Sequence, residues 1–188
     1  SHQQASRTTH SPVIVSAPTG SGKTEASLGW VHAGAELCDP GARVYYVLPY
    51  QASMNAMLRR LVDEYRYPKQ AVGLLHGRAL QALYAREAVS DEQRDGAARR
   101  ARTLAQLTRL HKSAVTVLSP YQLLKTVYQL PGYEASLTDL IGADVIVDEV
   151  HAYEPQRAGM IAALFAHLVT EFNARFCIMT ATLPQRLR

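Results

Sequence analysis

Residues 13–24 read VIVSAPTGSGKT, and the order of these residue types matters as much as their identity. A run of β-branched apolar residues reads as a buried strand, and the stretch after Lys23 has helix-forming composition. Between them lies a loop that opens at Ala17, where a glycine is commoner, and closes on Gly22-Lys23-Thr24. Strand, glycine-rich turn and helix in that order form a phosphate-binding loop. Gly20 and Gly22 let backbone N–H groups curl around phosphate oxygens where a Cβ would obstruct the curvature. The helix that follows points its positive end at the same anion. In this reading Pro18, Thr19, Gly20, Ser21, Gly22, Lys23 and Thr24 hold ATP. Lys23 neutralises the β- and γ-phosphates, and the Thr24 hydroxyl is a ligand for Mg²⁺.

A second stretch, VIVDEVHAY at 145–153, drives apolar residues straight into two carboxylates and a histidine. An ionised carboxylate buried without a partner costs several kcal/mol. The expectation is therefore that Asp148 and Glu149 emerge beside the first loop, facing Lys23 and Mg²⁺. Asp148 then holds the metal through water, and Glu149 activates the water that attacks the γ-phosphate. A third stretch, MTATLPQ, puts Thr180 and Thr182 at a strand end, where their hydroxyls can bond His151 and couple nucleotide state to a neighbouring surface.

Alternation organises the rest. Apolar runs at 13–16, 43–48, 71–75, 114–118, 144–148 and 176–179 are separated by stretches long enough for helices, among them 51–66, 120–129 and 156–172. Strands apolar along their whole length belong to a sheet covered on both faces, so the fold class is α/β with a mostly parallel central sheet and helices on both faces. Ligands of such sheets bind at the carboxyl ends of the strands. Residues 1–11 read as a polar N-terminal segment and 12–188 as one domain. Segment 79–112 adds helices between strands. Within it, residues 94–112 carry Arg94, Arg99, Arg100, Arg102, Arg109 and Lys112, with leucines at 104, 107 and 110, and predict a helix with docked leucines and a basic face.

Composition excludes several classes. No apolar run approaches the roughly 18 residues of a membrane span, so a soluble, cytoplasmic chain is expected. Cys38 and Cys177 do not make a disulfide framework, and the seven histidines are scattered without the His-Asp adjacency of a metal nuclease. The formal net charge of +4 mildly favours polyanionic partners.

Taken together, APTGSGKT, DEVH and TAT resemble motifs I, II and III of the first RecA-like lobe of superfamily 2 helicases, a class of P-loop NTPase. The wording VDEVHAYEP, TATLP and APTGSGKTEASL is most similar to the CRISPR-associated helicase-nuclease of type I interference systems. The resemblance spans about residues 12 to 184. It implies that Pro49, Tyr50 and Gln51 (LPYQ), His76 and Gly77 (LLHG), and Ser119 and Gln122 (SPYQ) contact the backbone of a single-stranded DNA. Tyr121 departs from the family, where the third position of SPYQ is more often Asp. Gln3 or Gln4 is placed to read adenine. The implied function is the ATP-binding lobe of a DNA helicase or translocase, completed by a second RecA-like lobe with arginine fingers, a nuclease domain and an RNA-guided surveillance complex. An RNA helicase and a non-motor nucleotide-binding module stay open as alternatives.

Overall fold

Six short strands pair side by side: β1 (Val13–Ser16), β2 (Val44–Val47), β3 (Val72–Leu75), β4 (Val115–Leu118), β5 (Asp144–Val147) and β6 (Arg175–Thr180). Their order across the sheet is β1-β6-β5-β2-β4-β3. Where the sequence predicts a mostly parallel sheet, every pairing here is parallel. The structure, a computed structural model, describes residues 12–18, 20–37, 42–87, 94–109, 113–129 and 133–181. Thr19, Thr182, Gln3, Gln4, Cys38, Leu110 and Lys112 lie outside the described residues.

Helices cover both faces. On one side lie α1 (Lys23–Leu37), α2 (Gln51–Arg59), α3 (Ala79–Glu87) and α4 (Arg94–Arg109), whose Trp30, Met54, Met57, Leu83 and Ala101 pack with Tyr46, Ile146 and Met179 of the sheet. On the other lie α5 (Pro120–Val127), α6 (Tyr133–Leu140) and α7 (Pro155–Phe172), whose Leu123, Leu140, Leu164 and Leu168 pack with Tyr45, Val145, Val147 and Phe176. Successive strand residues point to opposite faces, so strands buried on both must be apolar at every position. Strands β2, β4 and β5 are buried along their whole length.

The added helices dock differently from expectation. Helix α4 buries Ala97, Ala101 and Thr108 and packs Leu104 and Ala105 on the core, while Leu107 is only half-buried. Its docking stripe is therefore mostly small, which lets it approach β3 closely. A Cβ on Gly73 of β3 would lie 2.7 Å from both Thr108 Cγ2 and Ser113 Oγ. Arg99, Arg100 and Arg102 are exposed, as a basic face requires. Arg100 also joins Lys69 and Arg86 around the buried Glu87 carboxylate. Burial pushes that carboxyl up, but the three cations outweigh it and hold it below its ordinary range.

At the amino-terminal rim, Asp144 of β5 lies opposite Arg175 of β6 and accepts two guanidinium bonds, at 2.7 and 2.6 Å. The guanidinium lies 4.8 Å from the Trp30 ring centre, and Gly34 of α1 leaves it room, since a Cβ there would overlap Arg175 Nη2. Burial keeps the Asp144 carboxyl above its ordinary range even with both bonds made. Such a pair costs much when one partner alone is removed and little when both become apolar. Arg175→Met is expected to lower the unfolding free energy by about 3–5 kcal/mol, and Asp144→Leu combined with Arg175→Met to recover most of it. Urea unfolding curves of the two variants check this.

Candidate functional site

Because the sheet is wholly parallel, every strand delivers its following loop to one rim. In spatial order that rim carries Ala17–Thr24 after β1, Ala181 after β6, Asp148–His151 after β5, Pro49–Gln51 after β2, Ser119–Gln122 after β4 and His76–Gly77 after β3. Backbone bonds level these exits: Ala17 N–H donates to Thr180 O, Asp148 N–H to Val47 O, and Leu48 N–H to Leu118 O. Helix α1 leaves β1 toward one face and α7 leaves β5 toward the other. Opposed exits of this kind open a crevice at the carboxyl rim.

The first loop turns as glycine allows. Gly20 and Gly22 both have φ near +80°, and nothing lies within 4 Å of a Cβ built on Gly20, so left-handed backbone rather than space demands glycine there. Lys23 Nζ donates to Ala17 O at 2.6 Å and Pro18 O at 2.7 Å, drawing the loop over its own ammonium. Ser21 Oγ adds a bond to Pro18 O at 2.7 Å.

Neither acid pairs directly with Lys23. Asp148 Oδ2 accepts the Tyr46 phenol at 3.2 Å, and Oδ1 accepts the Glu149 N–H at 2.8 Å. Glu149 Oε2 accepts the Ser53 hydroxyl at 3.3 Å. Glu149 itself has φ 56° and ψ 37°, a left-handed conformation that costs a non-glycine residue roughly 1–2 kcal/mol. Backbone strain of this sort clusters at functional turns.

Helix α2 ties the rim together. Its first turn contributes Ser53 to Glu149, and Asn55 Oδ1 lies 2.9 Å from His76 Nε2. The Arg78 N–H donates to His76 Nδ1, so Nε2 carries the proton and donates to Asn55. Burial lowers the His76 pKa, which keeps this neutral ring. Beyond Arg59 the expected helix does not run on as α-helix to 66 but opens into a π turn over Arg60–Glu64, after which Arg66 takes φ 60°. That turn directs Arg60 Nη1 to Thr24 Oγ1 at 3.3 Å and Nη2 to the Tyr65 hydroxyl at 2.9 Å, with Glu25 and Glu64 beside it. The Tyr65 hydroxyl in turn donates to Glu25 at 2.6 Å, a bond that lowers the Glu25 pKa.

Of the remaining expected residues, Thr180 Oγ1 lies 3.4 Å from His151 Nδ1, which joins the ends of β6 and β5. Tyr50 stands at the start of α2 without a side-chain capping bond, its hydroxyl donating instead to Ala152 O at 3.5 Å, and is 54% exposed, beside an exposed Gln51 and a half-buried Pro49. Ser119 is buried just before Pro120 opens α5, a favoured first helical position for proline, and Gln122 is half-buried. Tyr121 is 38% exposed on the same rim. Sequence reasoning passed over Tyr46, Ser53 and Arg60. Thr24 and Asp148 supply the hard oxygens that Mg²⁺ takes, each held by a neighbouring donor, Arg60 and Tyr46, so these residues fit a Mg²⁺ held largely by water.

Residues 2–188 match the DEAD/DEAH box helicase family model, and the chain belongs to that family. It is 29% identical over 94% of its length to the CRISPR-associated nuclease/helicase Cas3 of Methanothermobacter thermautotrophicus, and 32% identical over 94% to the CRISPR-associated endonuclease/helicase Cas3 of Thermus thermophilus. It spans 20% of the length of each. The crystal structure of T. fusca Cas3-ADP superposes with a TM-score of 0.68 at 26% identity, covering 99% of this chain and 21% of that one. DUF1998 helicase MrfA bound to DNA and AMPPNP, 18% identical, shares the fold with a TM-score of 0.62 over 98% of this chain and 24% of that one. The six-stranded parallel sheet is the RecA-like helicase fold. Among the described residues no helix is long and apolar enough to cross a membrane.

Proposed function

We propose that residues 12–188 are the ATP-binding lobe of an ATP-dependent helicase or translocase that moves on single-stranded DNA in type I CRISPR interference, in the cytoplasm. The observation that carries the nucleotide site is the left-handed turn at Gly20 and Gly22, which opens α1 on the same sheet rim where Asp148 and Glu149 follow β5. Similarity to several Cas3 proteins over nearly the whole chain supports the cellular role.

In this reading Pro18, Thr19, Gly20, Ser21 and Gly22 wrap the phosphates. Lys23 exchanges its two loop carbonyls for phosphate oxygens, and an ammonium attracts a charged oxygen more strongly than a neutral carbonyl. Thr24 and Asp148 hold Mg²⁺, which when bound neutralises charge on the phosphate oxygens. Glu149, fixed by its left-handed backbone and Ser53, accepts the proton of the attacking water. His151 with Thr180 and Thr182 couples the site to its surroundings. Pro49, Tyr50, Gln51, His76, Gly77, Ser119 and Gln122 line the rim on β2, β4 and β3, with β2 next to the acids of β5 and β3 and β4 farther out. Small polar groups and helix starts there suit the phosphates of a single strand. A second RecA-like lobe, a nuclease domain and an RNA-guided surveillance complex complete the assembly.

The test is ATP turnover by the full-length protein with added single-stranded DNA or RNA. Stronger stimulation by DNA is expected. Stimulation by RNA alone would turn the reading toward an RNA helicase.

A further inference from the structure

A tyrosine hydroxyl is an odd choice at position 46. The residue is fully buried, 0% exposed, in the middle of β2 on the face where its neighbours are valine, isoleucine, cysteine and methionine. Burying a hydroxyl costs free energy unless it is bonded. Here its partner is the Asp148 carboxylate, while the Thr24 hydroxyl has Arg60 upon it. Donor rules fix both directions. A guanidinium only donates, so Thr24 Oγ1 accepts from Arg60. A carboxylate facing a phenol accepts, so Tyr46 spends its proton on Asp148 Oδ2.

We propose that Tyr46 and Arg60 are positioning residues for the metal ligands of the nucleotide site. Arg60 Nη1 on Thr24 Oγ1 and Tyr46 Oη on Asp148 Oδ2 set where that hydroxyl and that carboxylate point, so that both present lone pairs to one Mg²⁺. The inference rests on the nucleotide-site reading above. Arg60 is the adjustable member of the pair. The π turn aims it, the Tyr65 ring lies 5.6 Å from its guanidinium carbon, and Glu25 and Glu64 balance its charge. The same helix carries Ser53 on Glu149 at its other end, so α2 touches both the metal ligands and the expected base. A purely structural role would give Tyr46 a bonded hydroxyl too. It would not make Mg²⁺ affinity depend on it.

The experiment titrates Mg²⁺ against a fluorescent ATP analogue bound to the full-length protein, with binding in EDTA and thermal melting as companions. Tyr46→Phe keeps the ring in the core and removes the bond to Asp148. It is expected to raise the Mg²⁺ concentration for half-saturation roughly tenfold to a hundredfold, the effect of losing a hydrogen bond to a charged group, and to leave binding in EDTA unchanged. Arg60→Gln is expected to move the same midpoint by a smaller factor, and Arg60→Lys, which still donates, to restore part of it. Arg60 is 36% exposed at its side chain, so its variants carry the test if Tyr46→Phe melts below the assay temperature. Midpoints equal to wild type in the folded variants overturn the proposal. A shift with Tyr46→Phe but none with Arg60→Gln removes Arg60 from it. Wild-type protein whose ATP binding ignores Mg²⁺ instead overturns the metal-site reading itself.

Discussion

Glu149→Gln in the full-length protein lowers ATP turnover by about 10²–10⁴-fold while nucleotide stays bound. The size follows from what the change removes. Glutamine has nearly the shape of glutamate, and its carbonyl can still accept the Ser53 hydroxyl that the carboxylate accepts at 3.3 Å. The left-handed turn at 149 is set by backbone bonds: the Glu149 N–H on Asp148 Oδ1, and the Glu149 carbonyl accepting the Ala152 N–H at 2.8 Å. Lys23, Thr24 and Asp148 are untouched, so phosphate and metal binding persist. Only basicity is lost, and an amide cannot take a proton from water. The measurement is steady-state ATP hydrolysis beside analogue binding. A motor traps ATP; a nucleotide-binding module without turnover is indifferent. Equal turnover in variant and wild type would remove Glu149 from the reaction and favour the module.

Some of this site is readable from residues in line, and some exists only between elements far apart. The six strands are legible because a sheet buried on both faces forces uninterrupted apolar runs, and VIVS, RVYYVL and DVIVD have no other reading. The phosphate loop is legible because its chemistry is local, and the left-handed Gly20 and Gly22 are where the sequence puts them. Strand order is not legible in this way, since β6, the last strand, inserts between β1 and β5. The partners of the acids were hidden for the same reason. Tyr46 reads as one more aromatic in a core strand until its hydroxyl meets a carboxylate 102 residues away. Arg60 reads as a surface residue of a helix running to 66, because nothing in QASMNAMLRRLVDEYR marks a π turn. The short helix Tyr133–Leu140 has too few turns for its periodicity to stand out. In α4 the leucine spacing drew the eye, while the alanines made the contact, as close packing against Gly73 requires.

Joining a second RecA-like lobe to this chain raises its single-turnover ATP hydrolysis by about 10³–10⁵-fold, the span associated with an arginine supplied to a transferring phosphoryl group. Arg175 is spent on Asp144 at the opposite rim, and Arg43 lies beside Asp139. Arg86 and Arg100 surround Glu87 in the added helices, and Arg157 pairs with Glu154 at the start of α7. Among the described residues, Arg60 alone bonds a candidate nucleotide-site residue, and it is clamped by Glu25, Glu64 and Tyr65. Its acceptor is the Thr24 hydroxyl, the proposed metal ligand, which aims it at the ligand set rather than at the γ-phosphate. Charge developing on the phosphoryl oxygens is then met, among the described residues, by Lys23, loop amides and the start of α1, with no guanidinium bonded to the loop except Arg60. Quenched-flow measurement on the 188-residue chain and on the chain joined to its second lobe, at saturating Mg·ATP, reads the difference directly. A small ratio that rises on Arg60→Gln in the isolated chain would mean that Arg60 leaves Thr24 and serves as the finger in cis.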